Sequence, residues 1–139
     1  MKTLSAQEAL VYLMVIVSAS DRDMGDPELS RIGAVVRMLP AFRGFDANRT
    51  LAVAQDCQQW LQRENGLAEI LEAAGKAIPE AMHDTAYALA VDVAVADLQV
   101  EPEEFRLLQL IRGHLSLERA TVSAIERAAR ARHRSLEAS

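Results

Sequence analysis

The sequence predicts an all-α single domain, a bundle of about seven helices spanning residues 1–139. Three observations carry this. Apolar residues recur at helical spacing from end to end, with no sustained strand alternation and no hairpin turn. Half of the residues are hydrophobic but only 4% are aromatic, so the core is built of Ala, Val, Leu, Ile and Met, which suits packed helices. Helix start and stop signals punctuate the chain at regular intervals. At 139 residues, the chain has the length of one domain and can bury a real core without staples.

Each element follows from local chemistry. Ser5-Ala6-Gln7-Glu8 is a capping-box signature opening a first helix that runs to about Ser20. Asp26-Pro27 reads as N-cap and first position of a second helix, which ends at Leu39 before Pro40. A loop with apolar anchors, 40-PAFRGF-45, follows. A third helix starts near Asp46 and stops at Asn65-Gly66, a C-cap signal. The fourth covers about Leu67 to Ile78 and is weakened by Gly75. Pro79 opens a fifth that reaches about Ala96, Glu101-Pro102 opens a sixth, and Ser116 caps a seventh that passes Arg130. In the first and fifth helices, the stretches 9–20 and 85–96 carry almost no charge on any side, so these two helices belong at the centre of the core.

The two halves repeat at an offset of about 76 residues. Leu13, Val15 and Val17 fall on Leu89, Val91 and Val93; Asp21 falls on Asp97, Met24 on Val100, and Glu28 on Glu104. Each half is an apolar helix, an Asp at its end, a short loop, then a Glu early in an amphipathic helix. This predicts two pseudo-symmetric helix-loop-helix hairpins, repeat 1 at about 5–40 and repeat 2 at about 80–116. Acids in a first turn favour the positive end of the helix dipole, which accounts for Asp26, Glu28, Glu101, Glu103 and Glu104 without any function. Asp21 and Asp97 end apolar helices, where the dipole disfavours an anion, so each needs a partner: a basic side chain, turn N–H groups or a cation. Residues seven apart in a straight helix lie roughly 10 Å apart, so a bend is needed before Asp21 and Glu28 can share an ion. All-oxygen ligands suit Ca²⁺, Mg²⁺ or Mn²⁺. The loop is not an EF-hand, because Ile32 stands where the terminal Glu would be. Two readings stay open: a cation site, or caps and solvated acids.

Composition excludes several function classes. A formal net charge of -5 argues against a global draw to nucleic acid. The one cysteine, Cys57, allows no internal disulfide and reads as a small packed residue. Lys2, the apolar run at 9–17 and Ser18-Ala19-Ser20 imitate a signal peptide, but a similar run at 86–96 argues that both are core helices. No run is long enough to span a membrane, so the expected place is the cytoplasm with no membrane insertion. Asp92 interrupts the uncharged fifth helix and is a ligand, an arginine's partner, or the edge of the apolar face. His83, His114 and His133 read as surface residues. No nucleophile–base signature appears, so an enzyme is not expected. The basic stretch 126-ERAARARHRS-135 is either cations favoured at a helix C-terminus or a face for an acidic partner or an anionic membrane.

The stretches 9-ALVYLMVIVSASDRDMGDPELSRIGAVVRMLP-40 and 84-DTAYALAVDVAVADLQVEPEEFRLLQLI-111, with their repeated acid–apolar–Glu pattern, resemble the tellurite-resistance TerB-like family of small helical bacterial proteins. The resemblance implies a seven-helix all-α bundle and a non-enzymatic role in tellurite or stress resistance. It implies divalent cation binding and action with protein partners associated with the membrane, hence a peripheral place at its inner face. Carried over by position, the implied ligands are Asp21 and Glu28, then Asp97 and Glu104. Asp23 strengthens the first copy, where the second has Gln99. The family's common motif has Gly directly after the Asp; here Arg22 and Leu98 stand there. With Asp23 against Gln99, the first copy is the tighter expected site. The alternative from a different class is a metal-free interaction module whose acids only cap helices.

Overall fold

A computed structural model describes residues 3–18, 25–96 and 102–136, the side chains of 96 and 102–104 excepted. It contains seven α-helices and no strand among the described residues: α1 (Ala6–Ser18), α2 (Asp26–Met38), α3 (Thr50–Leu61), α4 (Gly66–Ala77), α5 (His83–Ala96), α6 (Pro102–Gly113) and α7 (Arg119–Arg132). The two helices without a polar face form the centre. In α1 every residue from Ala9 to Val17 is buried. In α5 the buried residues are His83, Ala86, Tyr87, Leu89, Ala90, Val91, Val93 and Ala94. A helix apolar all round needs neighbours on every side. Accordingly α1 packs against α2, α3, α4, α5 and α6, while α5 packs against α1, α6 and α7. Each central helix touches the helix that follows it and the one after that, α1 with α2 and α3, α5 with α6 and α7.

The start of α1 is built as its sequence requires. The Ser5 N–H donates to Glu8 Oε1 at 2.9 Å, and the Glu8 N–H donates to Ser5 Oγ at 3.0 Å. This reciprocal capping box satisfies two N–H groups that the helix cannot. Within the same turn, Gln7 Nε2 donates to the carbonyls of Ala41 and Arg43 at 3.2 and 3.0 Å. That stitches α1 to the loop at 40–45, where Phe42 is buried and meets Phe45 edge to face. Gly44 turns this loop at φ +84°, a conformation that glycine adopts without strain.

Several boundaries differ from the sequence expectation. Asp46 does not start α3; it caps a 3₁₀ turn (Ala47–Arg49) by accepting from the Asn48 N–H at 2.9 Å, and α3 begins at Thr50. Likewise Pro79 leads into a 3₁₀ turn (Glu80–Met82) before α5. Asn65-Gly66 is not a left-handed C-cap. Asn65 is the N-cap of α4 and Gly66 its first residue, with no positive φ. The glycine answers to crowding: a Cβ at Gly66 would lie 2.1 Å from the Trp60 carbonyl oxygen. Gly75 serves a similar need, since its Cβ would meet the His114 carbonyl oxygen at 2.6 Å. Ser116 does not cap α7, whose N-cap is Glu118 without a side-chain bond. Gly25, one residue ahead of Asp26, is the N-cap of α2.

Candidate functional site

The two acid-bearing connections share one architectural position. The first joins α1, which ends at Ser18, to α2, which starts at Asp26; the second joins α5, ending at Ala96, to α6, starting at Pro102. Both therefore leave a central helix of the core, and those two helices pack on each other. Asp21, Asp23 and Asp97 lie outside the described residues. Glu104 falls in the first turn of α6, and its side chain lies outside them too.

Glu28 is described. It stands in the first turn of α2 beside Asp26, half-buried, where the helix dipole favours an anion. Its carboxylate folds back over the N-cap: a Cβ on Gly25 would come within 2.9 Å of Glu28 Oε2. Gly25 leaves room for a carboxylate at the head of α2. No group of three or more His, Cys, Asp or Glu that could hold a metal occurs among the described residues. A cation site here needs oxygens from Asp21, Asp23, Asp97 or Glu104 in addition to Glu28.

Among the described residues, the remaining buried polar side chains have protein partners, with one exception. Asp92 is paired with arginine, one of the three roles open to it: Arg132 Nη2 bonds Asp92 Oδ1, and His133 Nε2 stands 3.6 Å from the same oxygen. Tyr87, fully buried in α5, donates to Glu126 Oε2 at 2.5 Å, and Arg112 Nη1 lies 3.5 Å from that oxygen. These bonds clamp α7 across α5 and α6. Burial, then the Glu126 bond, pushes the Tyr87 phenol well above its ordinary range.

His83 corrects the surface reading given to all three histidines. It is buried, with Nε2 2.9 Å from the Ile78 carbonyl and Nδ1 accepting from the Ser116 N–H at 2.8 Å. Because a backbone N–H can only donate, Nδ1 is the bare nitrogen and Nε2 carries the proton. No spacing rule reveals this residue, since its partners stand five and 33 positions away. His114 is exposed as expected.

Tyr12 is the exception. It is 1% exposed, sits edge to face with Trp60 at 6.1 Å, and its hydroxyl has no hydrogen-bond partner among the described residues. It backs a cavity of about 250 Å³ bounded by Asp56, Gln59, Trp60 and Arg63. Desolvation is the first cause of its raised phenol pKa, with Cys57, Asp56 and Glu8 adding to it. An unpaired buried hydroxyl costs about 1–3 kcal/mol. Tyr12→Phe is therefore expected to leave stability unchanged or raise it by about 1 kcal/mol, whereas Tyr87→Phe loses about 1–2 kcal/mol with its hydrogen bond to the Glu126 carboxylate. Urea unfolding of the two variants side by side tests the contrast; equal losses would contradict it.

The family model for the tellurite resistance protein TerB matches residues 7–134, from the first turn of α1 to just beyond α7. The chain belongs to the TerB family. Both acid connections of this TerB domain fall inside the matched span, as does the α7 clamp. None of the curated proteins and none of the solved structures matches the chain. No helix among the described residues is long and apolar enough to cross a membrane.

Proposed function

We propose that this TerB domain is a non-enzymatic cation-responsive module, which binds Ca²⁺, Mg²⁺ or Mn²⁺ at its acidic helix junctions and acts through protein partners in tellurite or stress resistance. The observation that carries the reading is positional. Both acidic connections spring from the two helices at the centre of the core, and the one described carboxylate among the proposed ligands, Glu28, is folded toward the head of α2 over Gly25. An ion held there by Asp21, Asp23 and Glu28, and a second by Asp97 and Glu104, would fix where each central helix hands over to its amphipathic partner. Hard carboxylate oxygens suit hard cations, and few ligands imply modest affinity. A place in the cytoplasm, at the inner membrane face when partners are engaged, belongs to the same reading.

A ligand that binds only the folded state stabilises it by mass action, about 2.7 kcal/mol at a hundredfold excess over Kd. Metal-stripped protein titrated with each cation at matched ionic strength should therefore melt at saturably higher temperature. Asp21→Asn should abolish most of that rise and Asp97→Asn a smaller part. No rise with any of the three cations, with both variants melting like the parent, would sink the cation role. One observation favours the metal-free alternative in that event: the Glu8 carboxylate caps the Ser5 N–H and pairs with Arg49, so an acid in this chain can be satisfied by protein groups.

A further inference from the structure

The outer face of α7 is unused by everything above. At about 100° per residue, Val122, Ile125 and Ala129 form the arc turned inward. Arg119, Arg127 and Arg130 fall within an arc of about 80° on the outer side, and Arg134 follows shortly after the helix ends. All four are exposed, and none has an ion pair among the described residues, whereas Arg132 and Arg112 are engaged with Asp92 and Glu126. The row is about 16 Å long from Arg119 to Arg130. The one acid of the helix, Glu126, is bound to Tyr87 and Arg112 instead.

Helix stability does not account for this row. The dipole favours cations in the last turn, which covers Arg130 and Arg132, but Arg119 is the first residue of α7, where it is disfavoured. Arg127 and Arg130, three apart, also repel each other. A chain with a formal net charge of -5 nonetheless collects unpaired positive charge on one helix face. We propose that the outer face of α7 docks an acidic helical segment of a protein partner, carboxylates set against the guanidinium row. Charge complementarity selects an anion. The residues between the arginines select a protein over a membrane: Ala120, Ser123, Ala124, Ala128 and Ala131 are exposed and small, and the larger apolar side chains of α7 are turned into the bundle. An interfacial helix needs large apolar groups to enter the headgroup layer, whereas small residues let a second backbone come close. The inference names the chemistry of the partner in the function proposed above and does not depend on cation binding.

The test uses the full chain in chelator, so that failure of the cation reading leaves the result interpretable. The probe is a fluorescent helical peptide of glutamate and alanine, with Glu every three to four residues, read by anisotropy. Arg119→Ala/Arg127→Ala/Arg130→Ala is compared with Arg37→Ala/Arg43→Ala/Arg63→Ala, which removes the same charge from exposed arginines elsewhere. The first variant should weaken binding at least about tenfold and the second less than about twofold, with the parent's affinity falling as salt rises. Equal weakening in the two variants would mean that only net charge is sensed, and absence of peptide binding would overturn the proposal outright. Tighter α7-dependent binding to phosphatidylserine vesicles or to DNA would overturn it by assigning the face to lipid or nucleic acid.

Discussion

Gly66→Ala is expected to cost about 3 kcal/mol, a fall in melting temperature of about 10 °C for a domain of this size. The added methyl would sit 2.1 Å from the Trp60 carbonyl oxygen and 3.0 Å from Leu61 Cα, both backbone atoms. Backbone cannot swing aside as a side chain does. That carbonyl also accepts from the Arg63 N–H at 3.1 Å, and the Trp60 side chain is pinned by its Nε1 bond to Glu69 at 2.8 Å and by the ring of Tyr12. Relief therefore means displacing the α3–α4 connection as a unit. Gly113→Ala is the control, because its Cβ meets nothing within 4 Å, and it should be neutral or slightly stabilising. Thermal melts of both proteins decide the matter; equal behaviour would show that the close approach is not a constraint.

His83→Ala is expected to lose about 3 kcal/mol, seen as a lower urea midpoint at unchanged slope. The ring bridges the Ile78 carbonyl before α5 to the Ser116 N–H in the α6–α7 connection. Its removal strands a donor and an acceptor and leaves a hole as well. His83→Phe separates the two contributions: it restores volume and leaves both backbone groups unpaired, so it should remain well below the parent. Full recovery in His83→Phe would show that packing alone matters at this position.

The fold was largely legible in the chain because its strongest signals are local. The Ser5–Glu8 box and the uncharged runs of α1 and α5 depend on spacing that a helix imposes directly, and the structure places them as read. The misreadings fall where distant contact outweighs local preference. Asn65-Gly66 carries the composition of a C-cap, but the glycine is there because α4 starts against the carbonyl of Trp60. His83 looked like a surface residue because nothing near it in sequence announces the two backbone groups it joins. Asp92 could be narrowed to three roles and no further, since its partners are 40 and 41 residues away. Of the candidate ligands, the structure describes the carboxylate of Glu28 alone, and there sequence and structure agree on an acid in the first turn of α2.

Cys57 turns the interior of this bundle into something that can be timed. Its thiol is 0% exposed, 3.9 Å from the Tyr12 carbonyl, and burial pushes its pKa up, so the folded molecule presents neither access nor thiolate to an alkylating reagent. Modification must wait until α3 lifts from α1. When reclosing outpaces the reagent, the labelling rate reports the equilibrium population of that opening, and at high reagent concentration it reports the opening rate itself. One native residue thus serves as a built-in stopwatch for the contact between the central helix and its neighbour.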